Sequence, residues 1–255
     1  MDDVERAALT PRKRTLASLG ELSKRDDFFG TYERCPIPDE EVLGNLGLFI
    51  NRQGLSRMLI LHDLYRQIVE VQGVVIEFGC RWGQNLALFS SFRGMYEPFN
   101  HTRRIIGFDS FSGFPAVSEL DGEKLAVGGW STTPGYEDYL DEVLAYHESE
   151  SPLGHLKRYE IVKGDVTSTV EEYLDRHPET VVALAYFDLD LYEPTKRCLE
   201  LIRDRITKGT VLAFDELNWA NFPGETRAMK EVLGFDRWAI RRSPINPRPS
   251  WVVVD

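Results

Sequence analysis

The chain has 255 residues, a length that suits one large α/β domain with a substantial core. Hydrophobic residues make up 42% and charged residues 28%, which excludes disordered and fibrous proteins, and the net charge of −11 argues against a nucleic-acid partner, which would require a basic face. The three cysteines are widely spaced, and the N-terminus lacks the apolar core of a signal peptide, which predicts a reducing, cytoplasmic location. The sequence has no run of about 18 apolar residues, so we predict no membrane partner.

Residues 1–71 are predicted to form an N-terminal helical arm or cap, followed by the main domain over residues 72–255. Residues 1 to about 34 hold seven acidic and seven basic residues, as expected for solvated helix and loop. Apolar residues recur at helical spacing over 40–71, which predicts two helices. The apolar stretch FINRQGLSRMLILHDLYRQIVEV is larger than one sheet edge needs. We therefore predict a homo-oligomer, a dimer or higher.

The main domain alternates apolar strand candidates with amphipathic helices. The strand candidates are residues 74–78, 103–109, 158–165, 181–190 and 209–216. This alternation predicts a doubly wound, mostly parallel sheet. Two further strand candidates, RWAIRRS and SWVVVD, are separated only by PINPRP, which predicts an antiparallel C-terminal hairpin.

Residues 111–150 form an insertion longer than a simple crossover needs. The segment holds nine acidic residues and one basic residue, Lys124, with few strong apolar anchors. Long insertions in compact domains are commonly lids or binding loops. We expect this segment to act as a lid that becomes ordered when ligands bind.

Carboxylates lie at the C-terminal end of each of the five main strand candidates. A doubly wound sheet binds its ligands outside the C-terminal ends of its strands, so these acids predict a binding site. They are Glu77, Asp109, Asp165, Asp188, Asp190, Asp215 and Glu216.

The first three strand ends suggest a nucleoside ligand with a cationic group. Glu77 precedes the glycine turn of Gly79 and Gly83, where its charge would repel a pyrophosphate but suits the sulfonium amino acid of S-adenosylmethionine. Asp109 is placed to accept the ribose hydroxyls, with Ser110 and Phe111 flanking the nucleoside and Asp165 near the adenine amino group.

The last two strand ends suggest a metal. Asp188, Asp215 and Glu216 are expected to converge without an obvious Lys or Arg partner, and a divalent cation would relieve their repulsion. Hard oxygen ligands favour Mg²⁺, or Mn²⁺ in its place. Asp190 alternates with Asp188 and should leave the opposite face of the strand unless the strand has already ended.

The motifs IEFGCRWGQN, GFDSFSGFP, KGD, FDLDLYEPT and FDELNWANFPGETRAMKEV together resemble the macrocin O-methyltransferase family, over about residues 40–255. The resemblance implies a class I methyltransferase (Rossmann-like) fold, S-adenosylmethionine as methyl donor, and Mg²⁺ that orients a hydroxyl of an antibiotic deoxysugar. Asp188, Asp215 and Glu216 match its metal ligands, although Glu216 stands where the family usually has Asp and Gln84 where a glycine is common. The full donor site predicted here is Glu77, Gly79, Arg81, Trp82, Gly83, Asn85, Asp109, Ser110, Phe111, Asp165 and Val166.

Methyl transfer to a sugar hydroxyl needs a base as well as a positioned donor. Asp188 is predicted to take the proton while also binding the metal, and Asp190 is the alternative base. The acceptor is either a nucleotide-activated sugar or a sugar already attached to an aglycone. Arginines of the C-terminal tail are candidates to bind a pyrophosphate, namely Arg237, Arg241, Arg242 and Arg248.

Three other functions agree with part of this pattern. A catechol-type O-methyltransferase would use the same metal ligands. Asp188-Leu-Asp190 also reads as the DxD motif of a metal-dependent glycosyltransferase, which leaves Glu77 unexplained. A non-catalytic adenosyl-binding module would leave the three metal ligands without a role.

Overall fold

The computed structural model describes residues 17–123 and 125–255. The predictions made for residues 1–16 of the arm and for Lys124 lie outside the described residues. Within the described part, no helix is both long enough and apolar enough to cross a membrane.

A seven-stranded sheet forms the centre of the molecule. Its order is β3-β2-β1-β4-β5-β7-β6, with the first five strands in chain order parallel and β7 antiparallel to both β5 and β6. The predicted doubly wound sheet with an antiparallel C-terminal hairpin is therefore confirmed. The strands are β1 Val74–Phe78, β2 Ile105–Asp109, β3 Tyr159–Lys163, β4 Val182–Phe187, β5 Ile206–Phe214, β6 Arg241–Arg242 and β7 Ser250–Val253.

Eight α-helices are described around this sheet. They are α1 Leu19–Glu33, α2 Asp39–Val42, α3 Arg52–Ile68, α4 Gln84–Tyr96, α5 Tyr136–Ser149, α6 Val166–Arg176, α7 Tyr192–Ile202 and α8 Gly224–Val232. Short 3₁₀ turns cover Leu43–Leu48 and Arg203–Arg205.

The region 40–71 differs from the two helices expected, because only α3 is a long helix. The glycine-containing run LGNLGL forms a 3₁₀ turn with a non-helical residue at Asn45. Helix α3 then starts afresh at Asn51, whose side-chain oxygen accepts the Gly54 N–H at 2.8 Å.

The core lies in two layers, one on each face of the sheet. Helices α3, α4 and α5 cover one face, and α6, α7 and α8 cover the other. In α3 the fully buried residues Ile60, Leu61, Leu64 and Ile68 recur at helical spacing. This packing fixes α3 firmly against the sheet.

Part of the segment 111–150 is regular structure. Helix α5 is the crossover helix between β2 and β3, so the irregular stretch is shorter than expected. This stretch is also anchored, because Phe111 and Phe114 are buried and the buried Asp121 accepts the Tyr192 N–H at 2.5 Å. The expectation of few apolar anchors was wrong.

The register of the parallel strands brings the predicted site residues to one edge. Phe78 is paired with Phe108 and Phe187, and Phe187 is paired with Phe214. These four rings form a contiguous row with centroid separations of 4.8–5.5 Å. The residue that follows each phenylalanine lies at the same edge of the sheet: Gly79, Asp109, Asp188 and Asp215.

Candidate active site

A cavity of about 440 Å³ opens at this edge of the sheet. Its size suits a cofactor, since sites for small molecules are commonly several hundred Å³. A second cavity of about 1100 Å³ adjoins it, and both are lined by Arg57, Trp130, Asp215, Glu216 and Arg248. We call these the inner and the outer cavity.

Glu77 lies at the base of the inner cavity and is only 1% exposed. One carboxylate oxygen accepts the Asn85 Nδ2–H at 2.6 Å, and the other, Oε2, has no hydrogen-bond partner among the described residues. Burial, and then the charge of Asp188, raise the pKa of Glu77 well above its usual range. A cationic ligand group would compensate the cost of this buried carboxylate.

The turn after β1 requires glycine at two positions, because other parts of the chain pack closely against it. Gly79 has φ 87° and Gly83 has φ 73°, both in the left-handed region. A Cβ on Gly79 would lie 2.0 Å from the Asp188 carbonyl oxygen, and one on Gly83 would lie 2.3 Å from Leu140 Cδ1. Both glycines also line the inner cavity, as predicted for the donor turn.

Asp109 organises the two loops around the inner cavity. Its Oδ2 accepts the Arg81 N–H and its Oδ1 accepts the Phe111 N–H, both at 2.6 Å. Arg81 and Phe111 have φ of 44° and 56°, so the carboxylate stabilises two backbone conformations that non-glycine residues rarely adopt. Burial raises the pKa of Asp109.

Phe111 does not flank the cavity as expected. Its side chain is buried in the core between the sheet and helices α3, α4 and α5, and only its backbone supports the site. Ser110 does line the cavity, and its hydroxyl donates to the Gly113 carbonyl at 2.8 Å.

Aromatic residues enclose one side of the inner cavity. The Arg81 guanidinium lies 4.7 Å from the Trp130 ring centroid and 5.4 Å from that of Trp82. The Tyr136 hydroxyl donates to the Trp82 carbonyl at 2.9 Å. The segment after β2 therefore contributes a wall of the site through Trp130, which the sequence analysis did not identify.

Asp165 caps a helix at the cavity rim. Its Oδ1 accepts the Thr167 N–H at 2.9 Å and the Thr167 hydroxyl at 2.7 Å, which fixes the start of α6. Asp165 and the buried Val166 both line the inner cavity. The predicted contact of Asp165 with adenine stays a prediction.

Asp188, Asp215 and Glu216 converge between the two cavities. One oxygen from each lies within 4.8 Å of the others. We call these three residues the acid cluster. The expectation that it has no basic partner was wrong, because Arg57 Nη2 lies 2.8 Å from Asp188 Oδ2 and Arg57 Nη1 lies 2.7 Å from Asp215 Oδ1. Arg57 belongs to α3, and nothing in its sequence context indicates a contact with residues 131 and 158 positions away.

The three acids differ in their electrostatic environments. Burial and the charge of Asp215 raise the pKa of Asp188 to about 6. Burial acts to raise the pKa of Asp215, but Arg57, the hydrogen bond from Tyr186 and the charge of Arg248 together outweigh it and lower that pKa. Burial and the charge of Asp215 raise the pKa of Glu216 well above its usual range. Glu216 Oε2 is buried without a hydrogen-bond partner among the described residues.

Asp190 lies in the same cavity as Asp188. Strand β4 ends at Phe187, so the alternation of a strand no longer separates the two side chains. Asp190 has φ 60° and is buried. Position along the strand therefore does not exclude either aspartate as a base.

Glu225, which the sequence analysis missed, joins the two loops that carry the acids. It is fully buried in the first turn of α8. Its Oε1 accepts the Leu189 N–H at 3.1 Å and its Oε2 accepts the Glu216 N–H at 3.0 Å. An acid in a first helical turn is common as a charge partner of the helix N-terminus, so the sequence held no specific signal for this role.

Of the four tail arginines, only Arg248 reaches the site. Its Nη1 lies 3.6 Å from Asp215 Oδ2 and 3.7 Å from Glu216 Oε1, and its guanidinium lies 4.2 Å from the Trp219 ring centroid. Arg237, Arg241 and Arg242 are exposed and line neither cavity. These three arginines therefore agree with the alternative that the tail forms a solvated face.

The sheet order, the strand-end acids and the cavity beside them define a class I methyltransferase. The chain is similar to the calicheamicin methyltransferase CalS11, with 44% identity, 96% of each chain covered and a TM-score of 0.90. The apo structure of CalS11, described as a TDP-rhamnose 3'-O-methyltransferase in calicheamicin biosynthesis, matches with 42% identity over 96% of this chain and 98% of that one, at a TM-score of 0.83. The chain belongs to the O-methyltransferase family that contains CalS11.

A more distant likeness supports the fold alone. The O-methyltransferase NovP matches with 18% identity over 79% of this chain and 80% of that one, at a TM-score of 0.59. No protein-family model matches the sequence, and a search of curated proteins found no match.

Proposed function

We propose that this enzyme transfers a methyl group from S-adenosylmethionine to a hydroxyl of a nucleotide-activated deoxysugar, assisted by Mg²⁺ or Mn²⁺, in the biosynthesis of an antibiotic or related metabolite. The observation that carries the proposal is the acid cluster, which lies between a cofactor-sized inner cavity and an arginine-lined outer cavity. The similarity to CalS11 supports the acceptor class. Membership of the macrocin subgroup stays a proposal based on the sequence motifs.

The inner cavity fits the methyl donor in charge and size. The unpartnered buried oxygen of Glu77 suits the cationic amino acid portion, and the Asp109 carboxylate lines the part of the cavity assigned to the ribose. When bound, S-adenosylmethionine supplies an electrophilic methyl group. Asp109, Ser110, Asp165 and Val166 would hold the nucleoside.

The acid cluster fits a hard divalent cation. All three residues offer carboxylate oxygens, the ligands that Mg²⁺ and Mn²⁺ prefer, and Glu216 has a buried oxygen without a partner among the described residues. Asp188, Asp215 and Glu216 would hold the ion, which would lower the pKa of an acceptor hydroxyl.

Asp188 is the base that this geometry favours. A pKa of about 6 leaves it ionised at neutral pH yet able to take a proton, and it lines the inner cavity beside Asp215 and Glu216, which line both cavities. As the acceptor oxygen took the methyl group from the sulfonium, Asp188 would take the hydroxyl proton.

The outer cavity has the character of an anion site in an acidic protein. Four arginines line it, Arg25, Arg52, Arg57 and Arg248, against three acids, Glu21, Asp215 and Glu216. Arginine guanidinium groups are well suited to a diphosphate. We therefore favour a sugar diphosphate over a sugar attached to an aglycone.

A methyl-transfer assay with mass detection tests the proposed function. Three acceptors are compared, namely a TDP-deoxysugar, the same sugar without the nucleotide, and a catechol, each with Mg²⁺. We expect a mass gain of one methyl group on the TDP-deoxysugar. Methylation of the catechol alone would favour the catechol-type alternative, and release of TDP without methylation would favour a glycosyltransferase.

Replacing Asp109 with alanine is expected to weaken S-adenosylhomocysteine binding by about 1–3 kcal/mol, the usual cost of losing hydrogen bonds to a charged acceptor. The loss has two sources, because Asp109 also holds the backbone of Arg81 and Phe111. Isothermal titration calorimetry measures the affinity, and circular dichroism checks the fold. The control is Asp175→Ala, an exposed carboxylate on α6. Unchanged affinity in Asp109→Ala would remove this residue from the donor site.

The enzyme is expected to be at least a dimer in solution. Helix α1 has no buried residue, and Phe28, Leu43 and Leu48 are exposed in the N-terminal part of the described chain. Light scattering at micromolar concentration should give a multiple of the 29.2 kDa chain mass. Phe28→Asp should lower the measured mass, unlike Phe99→Asp, which changes an exposed phenylalanine elsewhere. A monomeric wild type would contradict this expectation.

A cytoplasmic location likewise stays a proposal, based on the unpaired cysteines.

A further inference from the structure

Arg57 occupies the centre of the polar network between the two cavities. It lies on α3, which is fixed by fully buried apolar residues one and two turns further along the helix. Its guanidinium contacts the side chains of two different strand-end loops, after β4 and after β5. The helix thus places one guanidinium group at the point where β4 and β5 end and their loops begin.

The hydrogen bonds of Arg57 use one oxygen of each aspartate. Arg57 takes Asp188 Oδ2 and Asp215 Oδ1, and the Tyr186 hydroxyl donates to the same Asp215 oxygen at 2.5 Å. Asp188 Oδ1 and Asp215 Oδ2 are not used by Arg57. The arginine therefore orients both carboxylates from one side. On the other side Arg248 Nη1 lies 3.6 Å from Asp215 Oδ2, which is too long for a hydrogen bond.

We propose that Arg57 is a positioning residue for the acid cluster: it holds Asp188 and Asp215 so that their remaining oxygens bind the divalent cation with Glu216. This inference rests on the proposed function, because it assigns the acid cluster to a metal. Partners that orient the ligands of a metal site commonly tune metal affinity about 10–100-fold.

The role requires an arginine. The guanidinium presents several N–H donors in a planar fork, so it can hold two carboxylates at once, whereas a lysine ammonium is a compact charge on a flexible stem. The third donor, Arg57 Nε, lies 3.5 Å from Asn85 Oδ1, and Asn85 in turn donates to Glu77 at 2.6 Å. Arg57 thus also connects the acid cluster to the carboxylate assigned to the methyl donor.

The experiment compares Arg57→Lys and Arg57→Gln with the wild type. Mn²⁺ affinity is measured by electron paramagnetic resonance with Mn²⁺ alone, S-adenosylhomocysteine affinity by calorimetry, and kcat and KM by the methyl-transfer assay. The matched control is Arg66→Lys, an exposed arginine on the same helix. Thermal unfolding and circular dichroism show whether each variant folds.

Arg57→Lys keeps the positive charge but loses the planar guanidinium that holds two carboxylates at once, so we expect its Mn²⁺ affinity to fall about 10–100-fold. Its kcat should fall in parallel, while S-adenosylhomocysteine affinity changes much less. Arg57→Gln should also bind Mn²⁺ more weakly than the wild type. Arg66→Lys should behave as the wild type in every measurement.

Three results would overturn the inference. Tighter or unchanged Mn²⁺ binding by the Arg57 variants would mean that the arginine competes with the cation or is irrelevant to it. Equal losses for Mn²⁺ and S-adenosylhomocysteine would indicate a general disturbance of the site. A wild type that methylates its acceptor without binding Mn²⁺ would refute the inference while leaving methyl transfer intact. In contrast, a wild type that neither binds S-adenosylhomocysteine nor methylates any acceptor would contradict the proposed function itself.

Discussion

Replacing Asp188 with asparagine is expected to lower kcat by about 10²–10⁴-fold, the usual contribution of general-base catalysis. Asparagine has almost the same volume and still forms hydrogen bonds, but its neutral amide is no base and a weaker ligand for Mg²⁺. S-adenosylhomocysteine affinity should stay near that of the wild type, because the donor is assigned to Glu77 and Asp109. Steady-state kinetics with mass detection and calorimetry measure the two quantities.

Asp190→Asn is the matched control for this prediction. Asp190 lines the same cavity and is buried, whereas Asp188 is partly exposed, so both variants remove one carboxylate that lines the inner cavity. A larger loss in Asp190→Asn would transfer the role of base to that residue.

EDTA should abolish turnover of the wild type, with Mg²⁺ or Mn²⁺ restoring it and Ca²⁺ restoring less. Full activity in EDTA would remove the metal from the proposal.

The pH dependence of kcat provides a second test of the same residue. A base works as the carboxylate, so activity should fall as the pH drops through the pKa of Asp188, which burial and Asp215 raise to about 6. A bound divalent cation favours the charged form and would move this acid limb to lower pH. The residual kcat of Asp188→Asn should not show this fall at low pH. An unchanged limb in that variant would assign the titration to another group.

The fold and the position of the site could be predicted because both depend on local sequence patterns. Each of the five parallel strands has an acid within two residues of its C-terminal end, and parallel strands necessarily bring those ends to one edge. Glu77, Asp109, Asp188 and Asp215 therefore meet as expected, and each lines the inner cavity. The resemblance of motifs such as FDLDLYEPT then added the reaction class.

The remaining features depend on contacts between distant segments. Arg57 reaches the acid cluster only because α3 packs across the sheet, and its sequence context is an ordinary amphipathic helix. Phe111 turns into the core because Asp109 holds its backbone at positive φ, which no local pattern reveals. The role of Glu225 could not be predicted for the same reason, because its two hydrogen-bond partners lie 36 and 9 residues away along the chain.

Replacing Glu225 with glutamine is expected to damage both stability and catalysis. The two carboxylate oxygens each accept one backbone N–H, from Leu189 and from Glu216. Glutamine offers one acceptor oxygen, and its NH₂ group would face the second N–H. A buried donor left without an acceptor costs about 1–3 kcal/mol, so the free energy of unfolding should fall by that amount.

The catalytic effect of Glu225→Gln follows from the position of those two N–H groups. Leu189 is adjacent to both Asp188 and Asp190, and Glu216 is itself in the acid cluster, so a shift of either loop displaces the base or a metal ligand. A displacement of about 1 Å can cost about 100-fold in rate, and we expect a fall in kcat of that order with little change in KM. Chemical denaturation and steady-state kinetics check the two effects. Glu231→Gln, which changes an exposed glutamate on the same helix, should leave kcat unaltered. If Glu225→Gln kept the wild-type kcat despite a measured loss of stability, the two loops would tolerate the missing hydrogen bond, and Glu225 would serve the fold alone.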